Sequence, residues 1–346
     1  LLFWGAFFET PRQVKENQSI DKVQTNQDEI QGNITPSINQ ETIIKKISRD
    51  DALTEVDRVI IENEKVKGSI SLKGAIFDDL SFKNYKKDLK SGENVVFLNP
   101  KEIEDGYYIE SGWTSIGNEV EVPGVDSLWQ VKGNRVLSEK NNVVLEWNNG
   151  KGLIFKKTIK LDDKYLFKIK QEVQNNTSTK INLYPYAQIT RNKKPDDVMG
   201  FYILHEGFIG VFDGELKEDD YDDIEEKKAV RNSDNGWLGI TDKYWVTAIV
   251  PPKDKNFKST FLYKDNFRAN YILNSPVAIK PKSTSDNEVR LFVAAKEVET
   301  VDGYAESENI EKFDLTIDWG WFYFFTKPLF FVIDYLFKFS GNFGMQ

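Results

Sequence analysis

The one histidine of this chain, His205, stands beside Glu206 in the stretch Leu204-His205-Glu206-Gly207. A histidine held against a carboxylate could exchange protons as general acid and base. If the stretch is a strand, the two side chains point to opposite faces and cannot meet. A single histidine also excludes a two-histidine relay and a histidine-rich metal site. The absence of cysteine from all 346 residues removes thiolate catalysis, cysteine-ligated zinc and any disulfide framework. The acidic run from Gly214 to Glu226 supplies carboxylates without the spacing of a calcium loop, so a solvated loop is expected there. Gly236-Trp237-Leu238-Gly239 has the wrong glycine spacing for a dinucleotide fingerprint, and no basic residue follows to hold a phosphate. Trp237, Tyr244 and Trp245 could line a groove and stack on a sugar or an extended peptide, or they could fill a core. These patterns lead to no expected catalytic residue, cofactor or metal site.

Strands must position these residues. From about Arg58 to Glu297 the chain alternates apolar and polar residues with period two. Leu153, Phe155, Ile159 and Leu161 alternate with Ile154, Lys156, Thr158 and Lys160. Tyr165, Phe167, Ile169 and Val173 face away from Lys168, Lys170 and Glu172. Turn residues separate such runs at Asn148-Asn149-Gly150, Asp162-Asp163, Asn175-Asn176 and Asp213-Gly214. Many strands at short spacing predict an all-β protein, a large antiparallel sandwich over residues 45–297. No short repeat supports a propeller or solenoid. Ser48-Arg49-Asp50-Asp51 resembles a capping box for a short helix through Val56. A short linking helix is expected within 298–317. With net charge −9 and no basic cluster, nucleic acid is excluded as a partner.

Both ends carry apolar segments. The first eight residues would span about 12 Å as a helix, well short of a bilayer. They are expected to be the end of a membrane helix, with residues 9–44 as a polar tether. The segment from Asp318 is dense in aromatics. Its charges, Lys327, Asp334 and Lys338, fall at about 0°, −20° and +20° around a helix axis. One narrow charged stripe on an apolar cylinder predicts a helix over 318–340 lying on a lipid bilayer, stripe in water and apolar arc in lipid. Trp319 and Trp321 suit the headgroup region. Phe322, Phe325, Leu329 and Phe330 join them at the interface, and Pro328 fits the first turn of a helix starting near Thr326. A membrane-spanning helix would place Lys327 and Asp334 deep in hydrocarbon, at roughly 2.5–3.5 kcal/mol each. A buried core helix is the remaining alternative.

The residues from Asp318 through Thr326-Lys327-Pro328-Leu329-Phe330 to Gly341-Asn342-Phe343-Gly344 resemble the YidC membrane-protein insertases. The same family is resembled by Gly74-Ala75 with Asp78-Asp79-Leu80, by Gly112-Trp113 after Tyr107-Tyr108, by the run Gly236 to Trp245, and by Ala294-Ala295-Lys296-Glu297. The resemblance implies a periplasmic domain of a bacterial inner-membrane protein, folded as a galactose mutarotase-like β-supersandwich. A linking helix, an amphipathic interfacial helix and the start of a second transmembrane helix at 341–346 would follow. It implies nascent inner-membrane proteins as substrates and SecYEG and SecDF as partners, with no enzymatic activity. The family's insertase groove and its arginine would lie beyond Gln346. The competing expectation is a periplasmic carbohydrate-binding or carbohydrate-active sandwich, with convergent carboxylates beneath an aromatic platform.

Overall fold

The computed structural model describes residues 44–88, 90, 92–115, 120–196, 204–318, 320 and 323–340. The expectations for 1–8, for the tether up to 43, for Trp319, Trp321 and Phe322, and for 341–346 lie outside these residues. Helix α1 (Arg49–Thr54) opens the described chain, and the Ser48 hydroxyl caps it by accepting the Asp51 amide at 3.1 Å. Twenty strands follow among the described residues. In chain order they are β1 (Arg58–Glu62), β2 (Val66–Ser71), β3 (Ile76–Lys86), β4 (Asn94–Leu98), β5 (Tyr107–Thr114), β6 (Gln130–Val131), β7 (Val136–Leu137), β8 (Val143–Asn148), β9 (Leu153–Leu161), β10 (Leu166–Asn175), β11 (Ile181–Arg191), β12 (Gly207–Phe212), β13 (Glu215–Asp220), β14 (Ala229–Ser233), β15 (Gly236–Thr241), β16 (Trp245–Val250), β17 (Phe257–Lys264), β18 (Asn266–Leu273), β19 (Val277–Ile279) and β20 (Ser283–Ala295).

They form two sheets. The first holds eleven strands, with β14-β17-β18-β11-β5-β3-β2-β1-β7 as its main path. The second holds nine, ordered β13-β12-β15-β16-β20-β10-β9-β8-β6. The long central pairings are antiparallel, as between β10 and β20 from Leu166↔Phe292 to Asn175↔Ser283, while β7 joins β1 in parallel. Apolar side chains from the two sheets meet in one core. Phe77 of the first sheet packs edge-on against Phe167 of the second at 5.4 Å, and Phe208 of the second meets Phe261 of the first at 5.0 Å. The expected all-β antiparallel sandwich is the observed architecture.

Two local details differ from the sequence reading, and a third settles a choice it left open. The acidic run is not simply a solvated loop. It is the edge strand β13 followed by helix α2 (Tyr221–Glu226), whose Tyr221 and Ile224 are buried. A charged edge strand resists pairing with other chains, which gives the carboxylates a role without metal. In β9 every second residue from Leu153 to Leu161 faces inward, and one of them is Lys157. Its ammonium donates to the Ser111 carbonyl at 2.6 Å and lies 5.0 Å from the Trp129 ring. Burial pushes Lys157 down to about 8, with Glu110 partly opposing. The third is Trp237, which is fully buried in β15 and lines no groove. Gly236 and Gly239 flank it because a Cβ there would lie 1.9 Å from the Val211 carbonyl oxygen and 2.2 Å from that of Thr247.

After β20 the chain stays packed on the sandwich. Helix α3 (Val298–Ser307) buries Thr300, Val301 and Tyr304. A 3-10 turn at Phe313–Thr316 drives Phe313 into the core against Trp237 at 5.4 Å and Phe292 at 4.7 Å. The Trp237 indole also donates to the Glu311 carbonyl at 3.1 Å. The link between sandwich and C-terminal helix is therefore part of the core.

Candidate functional site

The last described element is helix α4 (Tyr323–Ser340). It lies within the expected 318–340 but begins before the start near Thr326 that Pro328 suggested, so Pro328 lies inside the helix and not in its first turn. Proline has no N–H, and the backbone bond to the carbonyl four residues earlier is lost there. Before the helix the chain turns at Gly320 (φ 69°), whose amide donates to the Asp318 carboxylate at 2.7 Å.

Lys327 is the main departure from the expected stripe in water. Its ammonium bridges Asp302 of α3 and Asp314 of the 3-10 turn, at 3.1 Å each. Burial opposes its charge, but the hydrogen bonds it donates to Asp302 and Asp314 outweigh that and hold its pKa above the ordinary lysine value. Asp334 is half-buried on the same stripe, and the Lys338 side chain lies outside the described atoms. The reason is proximity: the helix folds back beside its own linker, so the linker's carboxylates replace solvent as partners.

The opposite surface of α4 is bare. Phe325, Leu329, Val332 and Leu336 lie within about 40° of the point opposite Lys327, and all are exposed. Phe325 is 65% exposed, Tyr335 70% and Phe339 86%. Phe330, Ile333 and Tyr335 are exposed too and widen the apolar surface beyond the narrow seam of a coiled coil, and Phe331 is exposed within about 40° of Lys327 itself. No helix among the described residues is long and apolar enough to cross a membrane.

Where the linker leaves the sandwich, a cleft of about 490 Å³ opens, lined among others by Tyr85, Lys243, Tyr244, Trp245, Lys296, Glu297 and Asp318. Of the three aromatics singled out in the sequence, Tyr244 and Trp245 meet here. Trp245 stacks on Phe82 at 4.9 Å and meets Tyr85 edge-on at 5.1 Å, while Tyr244 stands 59% exposed. Glu297 is the hub of the cleft wall. It accepts hydrogen bonds from Lys65 at 3.1 Å, Tyr85 and Tyr165 at 2.9 Å, and Thr300 at 2.8 Å. Burial pushes its pKa up, but these donors outweigh it and leave the carboxyl below its ordinary value. One carboxylate thus ties the start of α3 to two strand ends. The sequence marked Lys296-Glu297 only as a family motif, because three of these four partners lie more than a hundred residues away.

Proton chemistry gains no support. His205 is held by Asp220 at 3.2 Å and by the Phe208 carbonyl at 2.9 Å, and Glu206 accepts the Lys243 amide at 3.0 Å. The pair lies just before β12 and is split between two sets of partners. The carboxylates of the cleft are already engaged: Glu297 is occupied by four donors, and Asp318 accepts the amides of His205 and Gly320. No group of metal-ligating side chains occurs among the described residues.

Residues 58–332 match the YidC periplasmic domain family. The chain is 47% identical over 347 residues to a membrane protein insertase YidC of Pelagibacter ubique, covering 100% of this chain and 61% of that protein. It is 39% identical over 308 residues to that of Brucella melitensis, covering 86% of this chain and 50% of the relative. The chain thus spans between half and two thirds of the curated relatives it matches. Among solved structures, a galactose mutarotase-like protein from Lactobacillus casei aligns with TM-score 0.47 at 11% identity, over 69% of this chain and 100% of its own. A galactose mutarotase related enzyme from Lactobacillus acidophilus aligns at 0.46 and 12%, over 69% and 97%. At that level the likeness bears on no residue's role.

Proposed function

The chain belongs to the YidC periplasmic domain family, and on that premise we propose that it is the periplasmic part of an inner-membrane protein insertase, built to seat a rigid sandwich on the membrane surface. The observation that carries this reading is the two-sided helix α4. Its polar stripe is clamped to the linker through Lys327, Asp302 and Asp314. Its apolar side is left open. Fully burying one such side chain contributes roughly 1.5–3 kcal/mol, so partial burial of five or more in lipid supplies several kcal/mol of adhesion. The clamp and the Glu297 hub then transmit the helix's height and tilt to the sandwich. The functional partition is residues 45–297 as the body, 298–317 as the link and 318–340 as the membrane-surface helix.

The substrates are nascent inner-membrane proteins, and SecYEG and SecDF are candidate partners for the sandwich surface. The domain itself holds and orients, with no bond-making step assigned to it. A graft tests this. The chain replaces the matching region of a curated relative, and insertion of a single-span substrate is followed in cells depleted of their own insertase. Insertion is expected with the graft and is expected to fall at least tenfold when Val332 and Leu336 both become Asp. Full insertion with that double variant would refute a membrane-seating role for α4.

A further inference from the structure

Resting on the membrane-surface reading above, we propose that the cleft beside Trp245 seats the phosphate of an anionic phospholipid headgroup. Lys86, Lys243 and Lys296 line it together with Glu297 and Asp318. Glu297 already receives Lys65, Tyr85, Tyr165 and Thr300, and Asp318 is held by two backbone amides. Neither forms an ion pair with Lys296, whose ammonium has no ion-pair partner among the described residues. Burial pushes Lys296 down to about 8, only partly opposed by Asp242, Asp318, Glu206 and Glu218. A half-buried ammonium without a bonded partner is a stability cost that an entering anion would recover. Lys86 donates to the Asn94 side chain at 2.6 Å, and Lys243 lies 5.0 Å from the Tyr244 ring.

The position of the cleft identifies the source of the phosphate. Ile317 and Asp318 form part of its wall. Helix α4 starts at Tyr323, five residues after Asp318, a span of at most ~18 Å of extended chain. With the apolar side of α4 in lipid, the cleft opens near headgroup depth. Tyrosine and tryptophan, the types that stand at its mouth, are favoured there. A free phosphate shares the chemistry but not the location.

The full chain is tested in two arms. In the first, backbone amide signals of Trp245 and Lys296 are followed by NMR while inorganic phosphate is added. In the second, co-sedimentation compares vesicles of phosphatidylcholine alone with vesicles that also contain phosphatidylglycerol. Wild type, Lys296→Gln, Lys243→Gln and the distant control Lys170→Gln are measured. The expected result is tighter binding to phosphatidylglycerol vesicles, a preference reduced at least fivefold by Lys296→Gln, reduced by Lys243→Gln and unchanged by Lys170→Gln. Shifts at Trp245 and Lys296 on adding phosphate, absent in Lys296→Gln, support the same site. Equal binding to both vesicles overturns the headgroup site while leaving the membrane-surface reading intact. An equal effect of Lys296→Gln and Lys170→Gln assigns the preference to diffuse charge and overturns it too. Phosphate-dependent shifts with no vesicle binding would make the ligand a soluble phosphate and refute both the headgroup and the membrane-surface reading.

Discussion

The sandwich and helix α4 use the same apolar side chains in opposite ways. In the sandwich, Phe82, Phe155 and Phe208 are buried in the core, and Trp237 is sealed between its sheet and Phe313 of the linker. On α4, Phe325, Tyr335 and Phe339 stand mostly in the open, while the charged residue Lys327 turns inward to two aspartates. A sheet hides its apolar face against another sheet and needs nothing outside the chain. A helix that spends its polar stripe on the protein has only a lipid or protein surface left for its apolar face. Burial of the charged side is therefore what commits the helix to an outside partner.

That contrast can be broken by mutation. Trp237→Ala should cost about 3–5 kcal/mol in chemical denaturation, whereas Leu336→Ala should cost less than about 0.5 kcal/mol because its side chain is exposed. Equal costs would mean that α4 is core.

Next in size is a lysine buried inside the sandwich. Lys157 has a folded pKa of about 8 against an ordinary 10.5. Below pH 8 both states are protonated and the burial penalty is fully present. Between pH 8 and 10.5 the unfolded state binds more protons, so stability rises with pH as the penalty is relieved. Relative to Lys157→Met, wild type should gain up to about 3 kcal/mol across that window. A parallel pH dependence of the two proteins would place Lys157 in a solvated site.

A smaller effect is expected at the junction. Glu297→Gln keeps the shape but weakens bonds from four donors, for a cost of about 2 kcal/mol, read as faster hydrogen exchange in α3. Unchanged exchange there would remove Glu297 as the hub. The smallest effect is at the clamp. Lys327→Met leaves Asp302 and Asp314 without their shared cation and should cost about 1 kcal/mol of stability, with faster exchange through α4 and none in β10.

Much of this was legible in the chain because strands are local. Alternation located β9 and β10, and the charge spacing located α4. The list of inward residues in β9 passed over Lys157 because a lysine does not look like core. Trp237 had two open readings, groove or core, and only the glycines beside it could have pointed to the crowded interior strand. Asp302 and Asp314 could not be matched to Lys327, since helical spacing relates residues within one element and these lie in three. Glu297 failed for the same reason. Pro328 misled through its preference for a first turn, since the helix already runs from Tyr323.

The central claim is that α4 lies with its clamped stripe toward the protein and its apolar side in lipid. A nitroxide scan along α4 of the vesicle-bound chain tests it most directly, reading oxygen accessibility at each position. The expected profile repeats every ~3.6 residues, with maxima at Phe325, Leu329, Val332 and Leu336 and a minimum at Asp334. A flat profile, or one with its maximum at Asp334, would contradict the claim.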